Sequence, residues 1–90
     1  MLRGDVLDTA KGLITGNREE QYGSPQANFQ RIADMWNAYL PEHVTIGAAD
    51  VAVMMTLVKI ARLSNTLGHA DSFIDAAGYM ALGAELSEAK

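Results

Sequence analysis

"DVAVMMTLVKIARLSNTLGHADSFIDAAGYMALGAELSE", residues Asp50 to Glu88, is the stretch whose reading decides the fold. Its first half, Val51 to Leu63, is apolar nearly all round a helix, and its only charges are Lys59 and Arg62. A helix with no wet face is expected to be the buried member of a bundle. "NTLGH" follows, a connection short enough to favour an antiparallel neighbour. The second half, Ala70 to Glu88, predicts a further helix, whose Ala76, Ala77, Gly78, Ala81, Gly83 and Ala84 are small enough to let another helix approach closely. The stretch therefore predicts a helical hairpin, with one helix over about 46–64 and the other over 70–88.

The hairpin carries a charged constellation. Asp71 and Asp75 are four residues apart and share a helix face, which Gly78 and Tyr79 continue. Lys59 and Arg62 also share a face. Folding the two helices back about Leu67 places Arg62 level with Asp71 and Lys59 level with Asp75, one helical turn apart. Buried charges are rare unless paired, so two structural ion pairs are one reading. Two functional readings compete with it. In one, Asp71 and Asp75 supply hard oxygen ligands to Mg²⁺, which retains several waters, and Lys59 and Arg62 hold phosphate oxygens beside it. In the other there is no metal: the cations grip a phosphate, the aspartates hydrogen-bond a sugar or base, and a Tyr or Trp stacks on the base.

Upstream, Val6, Leu7, Ala10, Leu13 and Ile14 recur at helical spacing and predict a short first helix over Asp5 to Thr15, stopped by Gly16-Asn17. "NREEQYGSP" is polar and punctuated by Gly23 and Pro25, and reads as a connection. Ser24-Pro25 opens a second helix, serine as cap and proline at the first helical position. Its apolar stripe is Phe29, Ile32, Ala33, Trp36, Tyr39 and Leu40. Gln30, Arg31, Asp34 and Asn37 are expected on the wet side, and Pro41 prevents continuation. Thr45 is the expected cap of the third helix, and Asp50 suits the positive end of that helix dipole. No strand pattern competes. The expected architecture is all-α, a single four-helix bundle-like domain over residues 1–90, with a central buried third helix antiparallel to the fourth.

"EEQYGSPQANF" is a second candidate site. Glu19 and Glu20 are placed to approach the constellation, Gly23 can offer a backbone amide to a ligand, and Asn28 and Phe29 begin the next helix. A purely structural account has Tyr22 and Phe29 capping the core while Asn28 ties down the turn. Trp36, Tyr39 and Met54-Met55 read as core or subunit interface rather than as a platform for a base. His43 and His69 fall in connections, not at ligand spacing, and His69 reads as a helix-start residue.

Composition bounds the partners. The chain has 90 residues, 49% of them hydrophobic, and no cysteine, so disulfides and thiolate zinc sites are excluded. So much apolar surface on so small a body predicts a homo-oligomer. The formal net charge of −4 disfavours duplex nucleic acid, although a few local cations suffice for a free nucleotide. "MLRGDVLDTAKG" lacks the apolar core of a secretory signal, and no window approaches a membrane span, so a cytoplasmic location is expected.

"QYG-x4-NF" at 21–29, "DVAVMM-x3-K-x2-R" at 50–62 and "D-x3-D-x2-GY" at 71–79 occur in this order in a family the chain resembles, a small uncharacterised domain of bacteriophages and prophages. It is also similar to nucleotide-modification-associated domains and, more distantly, to the MazG-like all-α NTP pyrophosphatases. The resemblance marks Tyr22, Gly23, Asn28, Lys59, Arg62, Asp71, Asp75 and Tyr79 as the site. It implies a phage nucleotide-related role in the host cytosol. For the MazG-like group it implies Mg²⁺-dependent cleavage of a nucleoside triphosphate to monophosphate and pyrophosphate, in oligomers of helical bundles. The chain departs from that group in lacking its E-E-x-x-E helix, Glu19-Glu20 being its sole acidic doublet.

Three functions are therefore expected to compete. The first is a Mg²⁺-dependent (d)NTP pyrophosphohydrolase with Asp71 and Asp75, and Glu19 or Glu20, on the metal. The second is a non-catalytic nucleotide-binding or sequestering module of counter-defence type. The third is a structural oligomer with paired buried charges.

Overall fold

A computed structural model describes residues 1–16 and 23–88. Among these residues there are four helices and no strand: α1 (Arg3–Thr15), α2 (Pro25–Tyr39), α3 (Ala48–Asn65) and α4 (Ala70–Glu88). The helix starts are made by short polar side chains. Asp5 Oδ2 accepts from the Leu2 amide at 3.2 Å, and Ser24 Oγ accepts from the Ala27 amide at 3.2 Å with Pro25 at the first helical position. Each satisfies one amide that the helix cannot bond internally. Leu40, the residue before Pro41, closes α2 with its amide on the Trp36 carbonyl.

The start of α3 differs from the sequence expectation. Gly47, not Thr45, precedes the first helical residue, and Asp50 reaches back to accept from the Gly47 amide at 2.9 Å. A carboxylate three residues inside can bond that amide directly, so Asp50 does more than interact with the dipole. Asn37 is also reassigned. Instead of facing water it is half-buried and clamps the loop before α3, donating from Nδ2 to the Ile46 carbonyl and accepting at Oδ1 from the Ile46 amide, both at 2.9 Å. The connection needs its backbone groups satisfied where it passes beneath α2, and an amide side chain matches both at once.

α3 and α4 form the predicted antiparallel hairpin and make the most extensive packing in the chain. Small residues set its closeness: a Cβ on Gly83 would lie 3.2 Å from the Ala52 Cβ, and one on Gly78 would lie 3.2 Å from Ile14 Cγ2 of α1. α1 packs on α4, and α2 packs on α3. The hairpin turn is fixed by His69, whose Nδ1 lies 2.8 Å from the hydroxyl of the buried Ser72. His69 is thus the helix-start residue expected of it.

The core is small and made largely of alanine: Ala10, Ala33, Ala48, Val51, Ala52, Ile74 and Leu86. α3 is not the sealed helix that its composition predicts. Val53, Leu57, Val58 and Ile60 are exposed, because α4 and α2 cover only part of its circumference. Tyr39, placed by periodicity on the apolar stripe of α2, is 92% exposed at the last helical position, where the chain turns away from α3. The Cα radius of gyration, 14.0 Å, exceeds the roughly 12 Å of a compact chain of this length. Among the described residues no helix is long and apolar enough to cross a membrane.

Candidate functional site

The hairpin register is realised at one of its two charged levels. Lys59 Nζ lies 3.1 Å from Asp75 Oδ2, the ion pair found among the described residues. Arg62 and Asp71, level with each other nearer the turn, are both exposed and are not paired there. The difference is solvation. Lys59 is held against α4, where a lone ammonium would be poorly hydrated. Near the hairpin turn, water serves both partners and a contact gains little.

A cavity of about 340 Å³ opens beside this pair. α4 supplies its floor with Ile74, Asp75, Gly78, Tyr79 and Leu82; α1 supplies Ala10, Leu13 and Ile14; Gly23, Pro25, Asn28 and Phe29 close it from the start of α2. Gly78 belongs there for a geometric reason: its missing side chain lets Ile14 sit directly on α4 and brings α1 up as a wall. Gly23 has φ +85°, a conformation glycine adopts without strain, and turns the chain into the Ser24 cap. Phe29 and Tyr79 face each other with ring centroids 6.3 Å apart at an interplanar angle of 40°, a tilted aromatic pair on one side of the cavity.

Four of the residues marked by sequence, Gly23, Asn28, Asp75 and Tyr79, therefore meet at one cavity, with Lys59 bonded to Asp75. Arg62 and Asp71 do not line it. Tyr22, Glu19 and Glu20 lie outside the described residues. Asn28 does tie down the turn, but loosely: its Nδ2 donates to the Gly23 carbonyl at 3.5 Å, and its Oδ1 accepts from Arg31 at 3.3 Å. Both bonds are at the weak end of the range, so the amide can exchange them for a better partner. Trp36, Met54 and Met55 are half-buried and do not line the cavity.

Sequence reasoning missed α1 as a wall, because a short terminal helix gives no sign of where it docks. It also missed the Phe29–Tyr79 pair, although both residues close quoted motifs. Among the described residues no three His, Cys, Asp or Glu side chains converge, and Asp75 is paired with Lys59.

A family model, the domain of unknown function DUF6378, matches residues 5–87. The chain belongs to the DUF6378 family. The match takes in all four helices, so cavity and hairpin both lie within the DUF6378 domain. Two similar proteins are the Gene 55 proteins of Mycobacterium phage L5 and Mycobacterium phage D29. Each is 45% identical over 74 residues, which is 82% of this chain and 47% and 48% of the respective phage proteins. The DUF6378 chain thus spans about half the length of the curated relatives it matches. No solved structure matches it at a significant level.

Proposed function

We propose that this phage-related DUF6378 domain binds a nucleotide, with the nucleoside part in the cavity between α1, α2 and α4. The reading rests on one observation: Gly23 and Asn28 converge with the sequence-distant Asp75 and Tyr79 on a single cavity of about 340 Å³. That volume lies at the low end of small-molecule sites, about 300–1,000 Å³, and suits one nucleoside rather than a dinucleotide. The chemistry of the wall supports the same ligand. Phe29 and Tyr79 offer aromatic surface for a base, the loosely held Asn28 amide offers a donor and an acceptor, and Asp75 accepts from ribose hydroxyls or exocyclic amines. Lys59 already neutralises Asp75, so the carboxylate does not repel the phosphates. Arg31, exposed and bonded to Asn28, and Arg62, one turn further along α3 and exposed, are cations placed to meet them in solvent. In this reading the chain is a binding and sequestering module, with polar recognition supplied by Asn28 and Asp75.

The test is thermal unfolding with each ribo- and deoxyribonucleotide at millimolar concentration in EDTA, with products followed in parallel. Ligand at a hundredfold its Kd stabilises by about 2.7 kcal/mol. For a domain of this size that raises Tm by on the order of 10 °C or more. Asn28→Ala and Tyr79→Ala should each abolish most of the rise. No shift with any nucleotide would overturn the proposal. Release of pyrophosphate on adding Mg²⁺ would replace sequestration with hydrolysis.

A further inference from the structure

A second surface of the molecule is unused by this site. On α3, Val53, Leu57 and Ile60 stand at i, i+4 and i+7, a single line along the helix; Leu57 is 58% and Ile60 51% exposed. On α4, Phe73 and Met80 form a parallel line, both exposed, with the small Ala77 and Ala84 beside them. At about 100° of rotation per residue, the two lines fall on the same side of the hairpin, away from α2 and from the Ile14 end of α1; the start of α1 borders the face at Phe73, which lines a cleft with Val6 and Leu7. No charged residue lies between Val53 and Ile60 or between Phe73 and Met80 on these lines; Asp50, seven residues before Leu57, and Arg3, beside Phe73, stand at the ends of the face. Several of the larger apolar side chains of the hairpin are thus outside, while Ala48 and Ala52 lie inside with Val51, Ile74 and Leu86.

We infer that this bare face of the α3–α4 hairpin is the surface on which a second copy of the chain packs, hairpin on hairpin, so that two copies complete a four-helix core. Three observations favour a copy over another occupant. The chain exposes 6479 Å², against about 5,100 Å² for a folded monomer of its mass, and the excess of roughly 1,400 Å² exceeds the ~800 Å² per partner that a standard interface covers. A chain of net charge −4 meets itself with least repulsion across a face whose middle is uncharged, as the line from Val53 to Ile60 is. An acidic or basic partner would find no charge in the middle of it to read. The i, i+4, i+7 spacing on α3 is also that of helices packing side by side in a bundle, and a two-fold axis needs one self-complementary patch.

Sedimentation velocity of the 90-residue chain between about 1 and 100 μM, the range that separates stable from weak dimers, tests this. The wild-type chain should sediment as a dimer, and Leu57→Glu should weaken association at least a hundredfold while keeping the helical circular-dichroism signal, since Leu57 touches little of its own chain. The absence of cysteine permits a second test. Single Leu57→Cys or Ile60→Cys chains should cross-link to themselves with a short bis-maleimide, and Met35→Cys, exposed on α2, should not. A monomer throughout the range, or a dimer indifferent to Leu57→Glu, would overturn the inference. Nucleotide binding is measured separately, so failure of one reading leaves the other intact.

Discussion

Cutting the Lys59–Asp75 pair from either end should give unequal costs, and the inequality follows from burial. The Lys59 side chain is 13% exposed and that of Asp75 is 37% exposed, with 3.1 Å between them. Asp75→Leu strands an ammonium with little access to water. A sealed stranded charge costs about 3–5 kcal/mol and an exposed one about 0–1 kcal/mol. The flexible lysine stem can move the head partly towards solvent, so about 2 kcal/mol is expected. Lys59→Met strands a carboxylate that water already reaches, and the methionine keeps the buried stem; under about 1 kcal/mol is expected. The double variant Lys59→Met/Asp75→Leu leaves nothing unpaired and should lie within about 1 kcal/mol of wild type, giving a coupling energy on the order of 2 kcal/mol. Urea unfolding near neutral pH, at one fixed protein concentration, measures all four proteins. With a slope of about 1–2 kcal/mol per molar for so small a domain, Asp75→Leu should move the midpoint by roughly 1–2 M. If Lys59→Met costs as much as Asp75→Leu, or if the two single effects simply add, the pair is not the partly buried contact described and the reasoning fails.

Other substitutions test other joints of the fold. Asn37→Leu removes two 2.9 Å bonds to Ile46 and leaves a half-buried amide and carbonyl unpaired, so a loss of about 2–3 kcal/mol in urea unfolding is expected. Gly83→Ala pushes a Cβ to 3.2 Å from the rigid Ala52 Cβ and should destabilise, while Gly12→Ala in α1 meets nothing within 4 Å and should raise stability by about 0.5–1 kcal/mol; thermal melts of the two variants should shift in opposite directions. Ser24→Ala removes the cap of α2 and should cost about 1 kcal/mol, and Ser24→Thr should restore most of it.

The sequence alone determined the local and periodic features. Ser24-Pro25 opens α2, α4 runs from Ala70 to Glu88, and the level of Lys59 with Asp75 follows from helix rise and a short turn. Each depends on residues a few positions apart, or on one antiparallel register, and neither requires knowing where a third helix lies. Tertiary structure decided the rest. A helix apolar nearly all round cannot state which of its sides will be covered, so the exposure of Val53, Leu57 and Ile60 depended on where α2 and α4 came to rest. The cavity likewise exists because α1 docks at Gly78 and carries Ala10, Leu13 and Ile14 to Asn28, Asp75 and Tyr79. Solvent then selected between two charge pairs that the register made equivalent, keeping Lys59 with Asp75 where water is scarce and leaving Arg62 and Asp71 apart where it is plentiful.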